Sequence, residues 1–383
     1  MAAVKPYESF DDMELKDSLL RGVYSFGFEK PSMIQQLAIR PVTAGGDVIG
    51  QAQSGTGKTG AFTIGILNRI DDSKKHLQAI VMLPTRELAL QVNDVVKGIS
   101  AHMDIEVVLA IGGASTREQL DSISRGAQFM IGTPGRIFDL ISTKLSRESV
   151  AGVNMLVMDE ADEMLSAGFQ EQVREIFRYI PSDIQVCLFS ATLNPDVMRI
   201  TEKFLREPTN ILVEKESLTL DGIRQYYVSL REQDKFHVLM DLYETMSIAQ
   251  CIIYCNSRGK VEEVARSLVS NGFTVGAIHG QMEWSERKAI MEDFRCGKLR
   301  VLLATDLLAR GIDVQQVSVV INYDVPRDVA NYLHRIGRSG RFGRKGIGIN
   351  FVTSDGEANL HTIIDHYKTN IEELPVEFMK HLE

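Results

Sequence analysis

The amino-acid sequence predicts an α/β protein with two doubly wound parallel-sheet domains joined by a flexible linker. Short apolar runs alternate with helical patterns from residue 48 to residue 190, which is typical of a parallel sheet with helices on both faces. The alternation stops in a mixed polar stretch at residues 213–222 and restarts at residue 223. At 383 residues the chain is also too long for one ordinary hydrophobic core. We therefore expect a first domain at residues 1–214, a linker at 215–222 and a second domain at 223–383.

The individual elements follow from the periodicity of apolar residues. Amphipathic patterns predict helices over residues 13–24 and 32–40, the second one capped by Ser32. In the first domain, apolar runs predict strands at residues 48–50, 79–83, 107–111, 129–131, 155–158 and 186–189. In the second domain, they predict strands at residues 225–230, 251–255, 274–278, 301–304, 317–321 and 348–352.

A glycine-rich loop follows the first predicted strand and leads into a predicted helix. Its sequence, residues 52–59, reads AQSGTGKT. Gly55 and Gly57 let the backbone bend so that consecutive N–H groups point at one anion, and the following helix adds partial positive charge. Lys58 would then reach the terminal phosphates, and the hydroxyl of Thr59 would hold magnesium. The strand, loop and helix together predict a nucleoside triphosphate site, although Ala52 stands where the usual pattern has its first glycine.

Polar residues follow the predicted strands of the first domain at their carboxyl ends, where ligands of parallel sheets collect. These residues are Pro84, Thr85, Arg86, Gly112, Gly113, Thr133, Pro134, Gly135, Arg136, Asp159, Glu160, Asp162, Ser190 and Thr192. Asp159 and Glu160 suit magnesium chemistry, because the aspartate can coordinate the metal while the glutamate deprotonates an attacking water. An acidic helix N-terminus is the alternative for Asp159 taken alone. Gln35, shortly before the glycine loop, is a candidate for recognising adenine, since an amide both donates and accepts hydrogen bonds.

The second domain has no phosphate loop of its own, so one nucleotide site has to serve both sheets. Its contribution is predicted from Arg335, Arg338 and Arg341, which recur every three residues with glycines between them. Guanidinium groups suit the charge that develops on a transferring phosphoryl group. A solvated basic loop is the alternative for such a run.

The composition is that of a soluble globular protein, with 44% hydrophobic and 24% charged residues. No apolar run reaches the roughly 18 residues of a membrane span, and residues 1–12 lack a signal-peptide pattern. Four cysteines without zinc-ligand spacing fit a reducing compartment. We therefore expect an intracellular protein without a membrane partner. The net charge of −9 argues against binding nucleic acid by bulk electrostatics but leaves room for a local basic track.

The motifs resemble, in order and spacing, the series found in DEAD-box RNA helicases. The matching residues are 27–35, 52–59, 84–88, 133–136, 159–162, 190–192, 304–313 and 334–341, and the similarity extends from Phe10 to the end of the chain. Short phrases such as residues 159–165 and 341–346 look most like the eukaryotic translation initiation factor four-A subfamily, which includes the paralogue of exon junction complexes. The resemblance implies two RecA-like domains and a requirement for ATP and Mg²⁺.

The resemblance also implies roles for individual residues. Adenine, ribose and phosphate recognition would involve Phe28, Lys30, Gln35, Gly55, Thr56, Gly57, Lys58, Thr59, Asp313 and Phe342, with Arg338 and Arg341 as arginine fingers. RNA would contact Pro84, Thr85, Arg86, Gly112, Gly113, Thr133, Pro134, Gly135, Arg136, Arg287, Thr305 and Arg310. Ser190 and Thr192, with Asp162 and His334, would couple the two sites. Trp284 departs from the family pattern, which has glutamine three residues before Arg287.

These expectations combine into an ATP-dependent RNA helicase, a monomer that closes on single-stranded RNA and locally unwinds short duplexes. Protein activators or scaffold partners of the translation-initiation type and a cytoplasmic location are expected with it. The alternative is an ATP-dependent RNA clamp of the exon-junction type, held closed by partner proteins, for which a nuclear location is expected. A third hypothesis, a DNA translocase, requires DNA to stimulate hydrolysis as well as RNA does.

Overall fold

The computed structural model describes residues 5–53, 55–165, 168–193, 195–213, 223–245, 248–306, 317–339 and 346–375. The chain divides into two compact units, Met1–Glu214 and Lys215–Glu383. Within the described ranges, no helix is long and apolar enough to cross a membrane.

The first unit contains a parallel sheet, whose seven described strands have the order β3-β4-β2-β5-β6-β1-β7. The strands are β1 (Val48–Gln51), β2 (Ala79–Met82), β3 (Val107–Ala110), β4 (Phe129–Gly132), β5 (Met155–Asp159), β6 (Gln185–Ser190) and β7 (Thr209–Leu212). The register pairs Val48 with Cys187 and with Thr209, so β1 lies between β6 and β7. Every residue of β2, β4, β5 and β6 is buried, because helices cover both faces of a parallel sheet.

Helices connect these strands. They are α1 (Asp17–Ser25), α2 (Met33–Ala44), α3 (Lys58–Arg69), α4 (Arg86–Ile99), α5 (Thr116–Ser124), α6 (Pro134–Asp139), α7 (Arg147–Val150), α8 (Ala161–Met164), α9 (Gln170–Tyr179) and α10 (Pro195–Thr201).

The second unit repeats this topology in its described residues. Its parallel sheet has the order β10-β11-β9-β12-β13-β8-β14, which is the order of the first sheet with each strand number raised by seven. The strands are β8 (Ile223–Ser229), β9 (Cys251–Tyr254), β10 (Val275–Ile278), β11 (Val301–Ala304), β12 (Val319–Asn322), β13 (Gly346–Val352) and β14 (Glu372–Glu373). The helices are α11 (Lys235–Thr245), α12 (Arg258–Ser270), α13 (Trp284–Arg295), α14 (Val329–Ile336) and α15 (Glu357–Tyr367).

The predicted fold class is confirmed. The structure differs from the prediction in two edge strands and in the bounds of two helices. Two strands, β7 and β14, were not predicted because they are short and largely exposed, with little apolar periodicity. The first helix spans Asp17–Ser25 instead of residues 13–24, since a short 3₁₀ helix at Phe10–Met13 precedes it. Helix α2 continues past Arg40 through Pro41 to Ala44 and is capped by Gly45, whose φ of 94° suits a glycine.

Candidate nucleotide and nucleic-acid site

The glycine loop between β1 and α3 contains two glycines with left-handed backbones. Gly55 and Gly57 have φ values of 83° and 102°, a region that side chains disfavour. A methyl group added at Gly57 would also lie 2.7 Å from Ser32 Oγ, so the position has no room for a side chain. Lys58, the first residue of α3, is buried and donates a hydrogen bond from Nζ to Ala52 O at 2.9 Å. The predicted phosphate-binding groups therefore converge on one turn; Thr56 and Thr59 belong to the same segment.

Gln35 lies against this loop and is 3% exposed. Its Oε1 accepts a hydrogen bond from Ser32 N at 2.9 Å, and its Nε2 donates to Gly57 O at 3.2 Å. The amide thus bridges the start of α2 and the glycine loop, which places the candidate adenine-recognising residue beside the phosphate cradle. Phe28 packs next to Gly60, where an added methyl group would lie 3.1 Å from its ring, whereas Lys30 is exposed.

Asp159 and Glu160 lie where β5 ends, and both are buried. Glu160 N donates to Asp159 Oδ1 at 3.0 Å, and Glu160 has a left-handed backbone with φ 51° and ψ 52°. Non-glycine residues in this conformation store strain, which is common at functional sites. Burial, and then the charge of Glu160, raise the pKa of Asp159 to about 7, while Lys58 opposes this shift. A cation is therefore the ligand that would best stabilise this pair in its ionised form.

The donor set fits Mg²⁺. Magnesium prefers hard oxygen ligands and takes one or two from the protein. Asp159 and Glu160 offer buried carboxylate oxygens, and Thr59 offers a hydroxyl at the start of α3. The raised pKa of Asp159 reflects a carboxyl group that lacks water around it, and a divalent cation would compensate for that loss.

A second buried cluster joins β6 to the acidic segment. Ser190 Oγ donates to Asp162 Oδ1 at 2.7 Å, and Thr192 Oγ1 donates to Asp162 Oδ2 at 2.8 Å. Because β5 and β6 are neighbours in the sheet, one carboxylate holds both hydroxyls. These three predicted coupling residues are thus brought together; His334, the fourth, is a buried residue of α14 in the second unit.

The loops predicted to contact RNA follow β2, β3 and β4, which are adjacent in the sheet. Thr85 follows Pro84 in the loop between β2 and α4, and it caps α4 by accepting a hydrogen bond from Leu88 N at 3.2 Å. A methyl group added at Gly112 would lie 2.9 Å from the guanidinium group of Arg86, so the first residue of α4 contacts the loop after β3. Gly113 has a φ of 88°, which again favours glycine.

Arg136, in the loop and short helix after β4, is held by the protein itself. Its Nη1 donates to Thr116 Oγ1 and to Gln119 Oε1, each at 2.9 Å. Gln119 in turn donates to the carbonyl oxygens of Leu109 and Ile111, next to the end of β3. Arg136 therefore fixes the loop after β4 against the element after β3, a positioning role that the sequence pattern did not reveal. Its neighbours Thr133, Pro134 and Gly135 follow β4 directly.

In the second unit, the three arginines that recur every three residues differ in their surroundings. Arg335 is fully buried: it donates to Asp306 Oδ1 at 2.5 Å, to Asn256 Oδ1 at 2.8 Å and to Asp324 O at 2.8 Å. Arg338 is also buried and donates from Nε to His334 O at 2.9 Å. The solvated-loop alternative is therefore wrong for these two arginines.

The structure describes some of the other residues of the second unit that were predicted to contact ATP or RNA. Thr305 follows β11 directly, and Arg287 is a buried residue of α13. Trp284 begins α13, with the ammonium group of Lys288 5.5 Å from the centre of its ring. Four predicted residues lie outside the described part of the chain, namely Arg310, Asp313, Arg341 and Phe342.

Comparison with known proteins identifies the protein family to which this chain belongs. A family model described as DEAD/DEAH box helicase matches residues 32–200, and one described as helicase conserved C-terminal domain matches residues 234–343. The solved structure of S. cerevisiae Dbp5 bound to RNA and ADP BeF3 is similar, with a TM-score of 0.90 and 34% identity over 98% of this chain and 97% of that chain. The chain belongs to the DEAD-box family of ATP-dependent RNA helicases, and the predicted RecA-like fold is confirmed.

Sequence identity to named proteins indicates the subfamily within the DEAD-box family. The chain is 52% identical to eukaryotic initiation factor 4A of Caenorhabditis elegans, over 96% of this chain and 91% of that protein. It is also 52% identical to ATP-dependent RNA helicase eIF4A of Pyricularia oryzae, over 96% of this chain and 93% of that protein. The predicted resemblance to the initiation factor 4A subfamily is confirmed, and these names favour translation initiation over the exon-junction alternative.

Proposed function

We propose that this protein couples ATP hydrolysis to RNA binding along the carboxyl edge of its first sheet and thereby unwinds short RNA duplexes in translation initiation. The proposal is supported by the arrangement of the loops at this edge of the sheet, where the nucleotide residues occupy one half and the predicted RNA loops the other. Strands β5, β6 and β1 are followed by the acidic pair, the Asp162 cluster and the glycine loop, whereas β3, β4 and β2 are followed by the predicted RNA loops. Because β2 and β5 are neighbours, the two halves are continuous.

The proposed chemistry follows from the residues at the nucleotide half. Gly55 to Thr59 bind the phosphates and Gln35 binds the adenine. Thr59 and Asp159 would hold Mg²⁺, which would neutralise phosphate charge. Glu160 orients and deprotonates the attacking water; its buried position and strained backbone hold the carboxylate in place.

Arg338 and Arg341 are proposed to donate to the transferring phosphoryl group, with Asp313 at the ribose and Phe342 at the base. If both ligands favour the same closed conformation, each tightens the binding of the other. Arginine fingers of this kind accelerate turnover by roughly a thousandfold or more.

RNA is proposed to contact the three strand-end loops of the first unit together with Arg287, Thr305 and Arg310 of the second. Contacts of this type are made to the backbone, so binding is expected to be independent of sequence and to weaken with salt. Protein activators or scaffold partners of the initiation type, a monomeric state and a cytoplasmic location complete the proposal, which is supported by the names of the relatives.

Steady-state ATP hydrolysis tests the proposal. Single-stranded RNA is expected to stimulate turnover strongly, DNA of the same sequence is not, and Glu160→Gln is expected to abolish both basal and stimulated turnover. Glu171→Gln, at an exposed side chain of α9, serves as the matched control and should behave like the wild type. Equal stimulation by DNA would instead support a translocase on either nucleic acid, and turnover in Glu160→Gln would remove that residue from the mechanism.

A further inference from the structure

Trp284 is a large aromatic side chain that lies outside the described core of the second unit. It is half-buried at the start of α13 and does not belong to the apolar clusters formed by the described residues of this unit. Ile290, on the same helix, does pack against one of these clusters. Tryptophan side chains that remain partly exposed are typical anchors of binding surfaces, since they offer a large apolar area. The indole of Trp284 is therefore a candidate for contact with a ligand.

The start of α13 lies at the carboxyl edge of the second sheet. After β10 the chain makes a turn, in which Met282 N donates to His279 O at 3.3 Å, and the helix begins two residues later. Strand β10 pairs with β11, which is followed directly by Thr305. Arg287 lies three residues after Trp284 on α13. Trp284 thus lies at the edge where the second unit is proposed to contact RNA.

The group that lies over the indole ring can be displaced by a ligand. The ammonium group of Lys288 is 5.5 Å from the centre of the ring, and the lysine side chain is about half exposed. Its ion pair with Glu292, at 3.7 Å, lies at the surface and contributes little to stability. A flat group can therefore replace the ammonium over the ring, and Lys288 is then free to pair with a neighbouring phosphate.

The charges around Trp284 select the part of a nucleic acid that meets the ring. Glu283 and Glu286 flank Trp284 in the sequence, and both are exposed. Their negative charges disfavour a phosphate directly on the indole. A nucleobase is uncharged and flat, and each of the bases has a face that stacks on an aromatic ring. The base is thus the part of a single strand that suits this position.

We infer that Trp284 stacks on one nucleobase of the bound strand, so that the protein holds RNA by a base as well as by the backbone. This inference rests on the proposed RNA contacts of Arg287 and Thr305. The related helicases have glutamine three residues before this arginine, as the family pattern shows, and a glutamine has no ring on which a base can stack. The base contact is therefore a property of this chain.

The test is a scan with single abasic nucleotides. Equilibrium binding of a labelled single-stranded RNA is measured with a non-hydrolysable ATP analogue, using the intact strand and a series that lacks one base at a time. In the wild type, removal of the base at one position should weaken binding by about 5-fold, the lower end of the range for one base on an aromatic ring. In Trp284→Gln, which has the residue of the family pattern, the same removal should have no effect.

Tryptophan fluorescence gives a second measurement, because Trp284 is the only tryptophan of the chain. At saturation, the intact unlabelled strand should quench the emission of the wild type, and the strand that lacks the critical base should quench it much less. Trp284→Phe keeps an aromatic ring and should keep an abasic penalty at the same position. Ser285→Ala, at the exposed next residue, is the control and should show the wild-type scan. Thermal unfolding of each variant identifies any loss of fold.

A scan in Trp284→Gln that matches the wild type would overturn the inference, as would equal quenching by the intact strand and by every abasic strand. Loss of the penalty in Trp284→Phe would also contradict stacking on an aromatic ring. Hydrolysis by the wild type separates these failures from failure of the proposed function. If RNA stimulates hydrolysis while the scans of wild type and Trp284→Gln are identical, only the role of Trp284 is refuted. If RNA does not stimulate hydrolysis at all, the proposed function fails.

Discussion

Replacing Asp159 by asparagine should stabilise the first unit at high pH, although it should also remove hydrolysis. The Asp159 side chain is 3% exposed, and burial followed by the charge of Glu160 raises its pKa from 3.8 to about 7. Asparagine has nearly the same shape, is neutral at every pH and keeps an oxygen that can accept the hydrogen bond from Glu160 N. The variant therefore removes the unfavourable charge without removing the contact.

Proton linkage gives the sign and the size of the effect. Below about pH 4 the carboxyl group is protonated in both the folded and the unfolded state, so the two proteins should be about equally stable. As the pH rises to about 7, the unfolded chain loses its proton before the folded one does, and the wild type loses stability relative to the variant. Above pH 7 the full difference persists. The pKa of Asp159 is raised by about three pH units, and each unit is worth about 1.4 kcal/mol, so the free energy of unfolding should differ by about 4 kcal/mol. The attraction of Lys58 is already included in this pKa.

Hydrogen exchange of the amides in β5 and β6 measures this free energy locally. Exchange is followed by mass spectrometry at about pH 5 and about pH 8, without nucleotide or magnesium, and is corrected for the intrinsic effect of pH on exchange. The exposed Asp183→Asn is the control and should leave protection unchanged at both pH values. The expected result is that the variant gains stability relative to the wild type between about pH 5 and about pH 8. If this difference is the same at both pH values, or if the variant is less stable than the wild type at about pH 8, this explanation of the Asp159 site is refuted.

Two substitutions test the glycine loop and the buried arginine. Gly57→Ala should weaken binding of a fluorescent ATP analogue by about 5- to 30-fold, because a left-handed backbone costs about 1–2 kcal/mol without glycine and the new methyl group meets Ser32. Gly272→Ala, at a φ of 86° with open space around it, should leave this affinity unchanged. Arg335→Met should destabilise the second unit by about 3–5 kcal/mol, since Asp306 and other partners lose a buried donor.

The unfolding of the second unit can be followed separately, because Trp284 in α13 is the only tryptophan of the chain. Urea unfolding monitored by its fluorescence should shift strongly in Arg335→Met and should stay within about 0.5 kcal/mol of the wild type in the exposed control Arg327→Met. Similar unfolding curves for Arg335→Met and Arg327→Met would contradict the role of the buried network around Arg335. For the glycine loop, an equal loss of affinity in Gly57→Ala and Gly272→Ala would contradict the steric explanation.

The sequence predicted those parts of the site whose chemistry needs a fixed local pattern. The glycine loop and the acidic pair Asp159–Glu160 each follow an apolar strand, and the parallel topology then requires them to share one edge of the sheet. Their placement needed no knowledge of distant contacts. The same local logic predicted most strands, and it missed β7 and β14 because short exposed edge strands lack an apolar pattern.

What the sequence could not predict depends on contacts between residues far apart in the chain. The regular spacing of the arginines predicted similar roles, yet Arg335 turns inward to Asn256 and Asp306, which are 79 and 29 residues away. Arg136 was predicted to face RNA, and its partner Gln119 gave no signal because a single glutamine on a polar helix is unremarkable in composition.

Thermodynamic linkage between ATP binding and RNA binding tests the proposed coupling of the two ligands. The affinity for a non-hydrolysable ATP analogue is measured with and without saturating single-stranded RNA, and the affinity for RNA with and without the analogue, in the wild type and in Ser190→Ala. The proposed coupling requires that each ligand tightens the binding of the other by the same factor in the wild type. In Ser190→Ala, where Asp162 loses its hydrogen bond from Ser190, this factor should fall towards one while the separate affinities persist. An absent coupling in the wild type, or full coupling in Ser190→Ala, would contradict it.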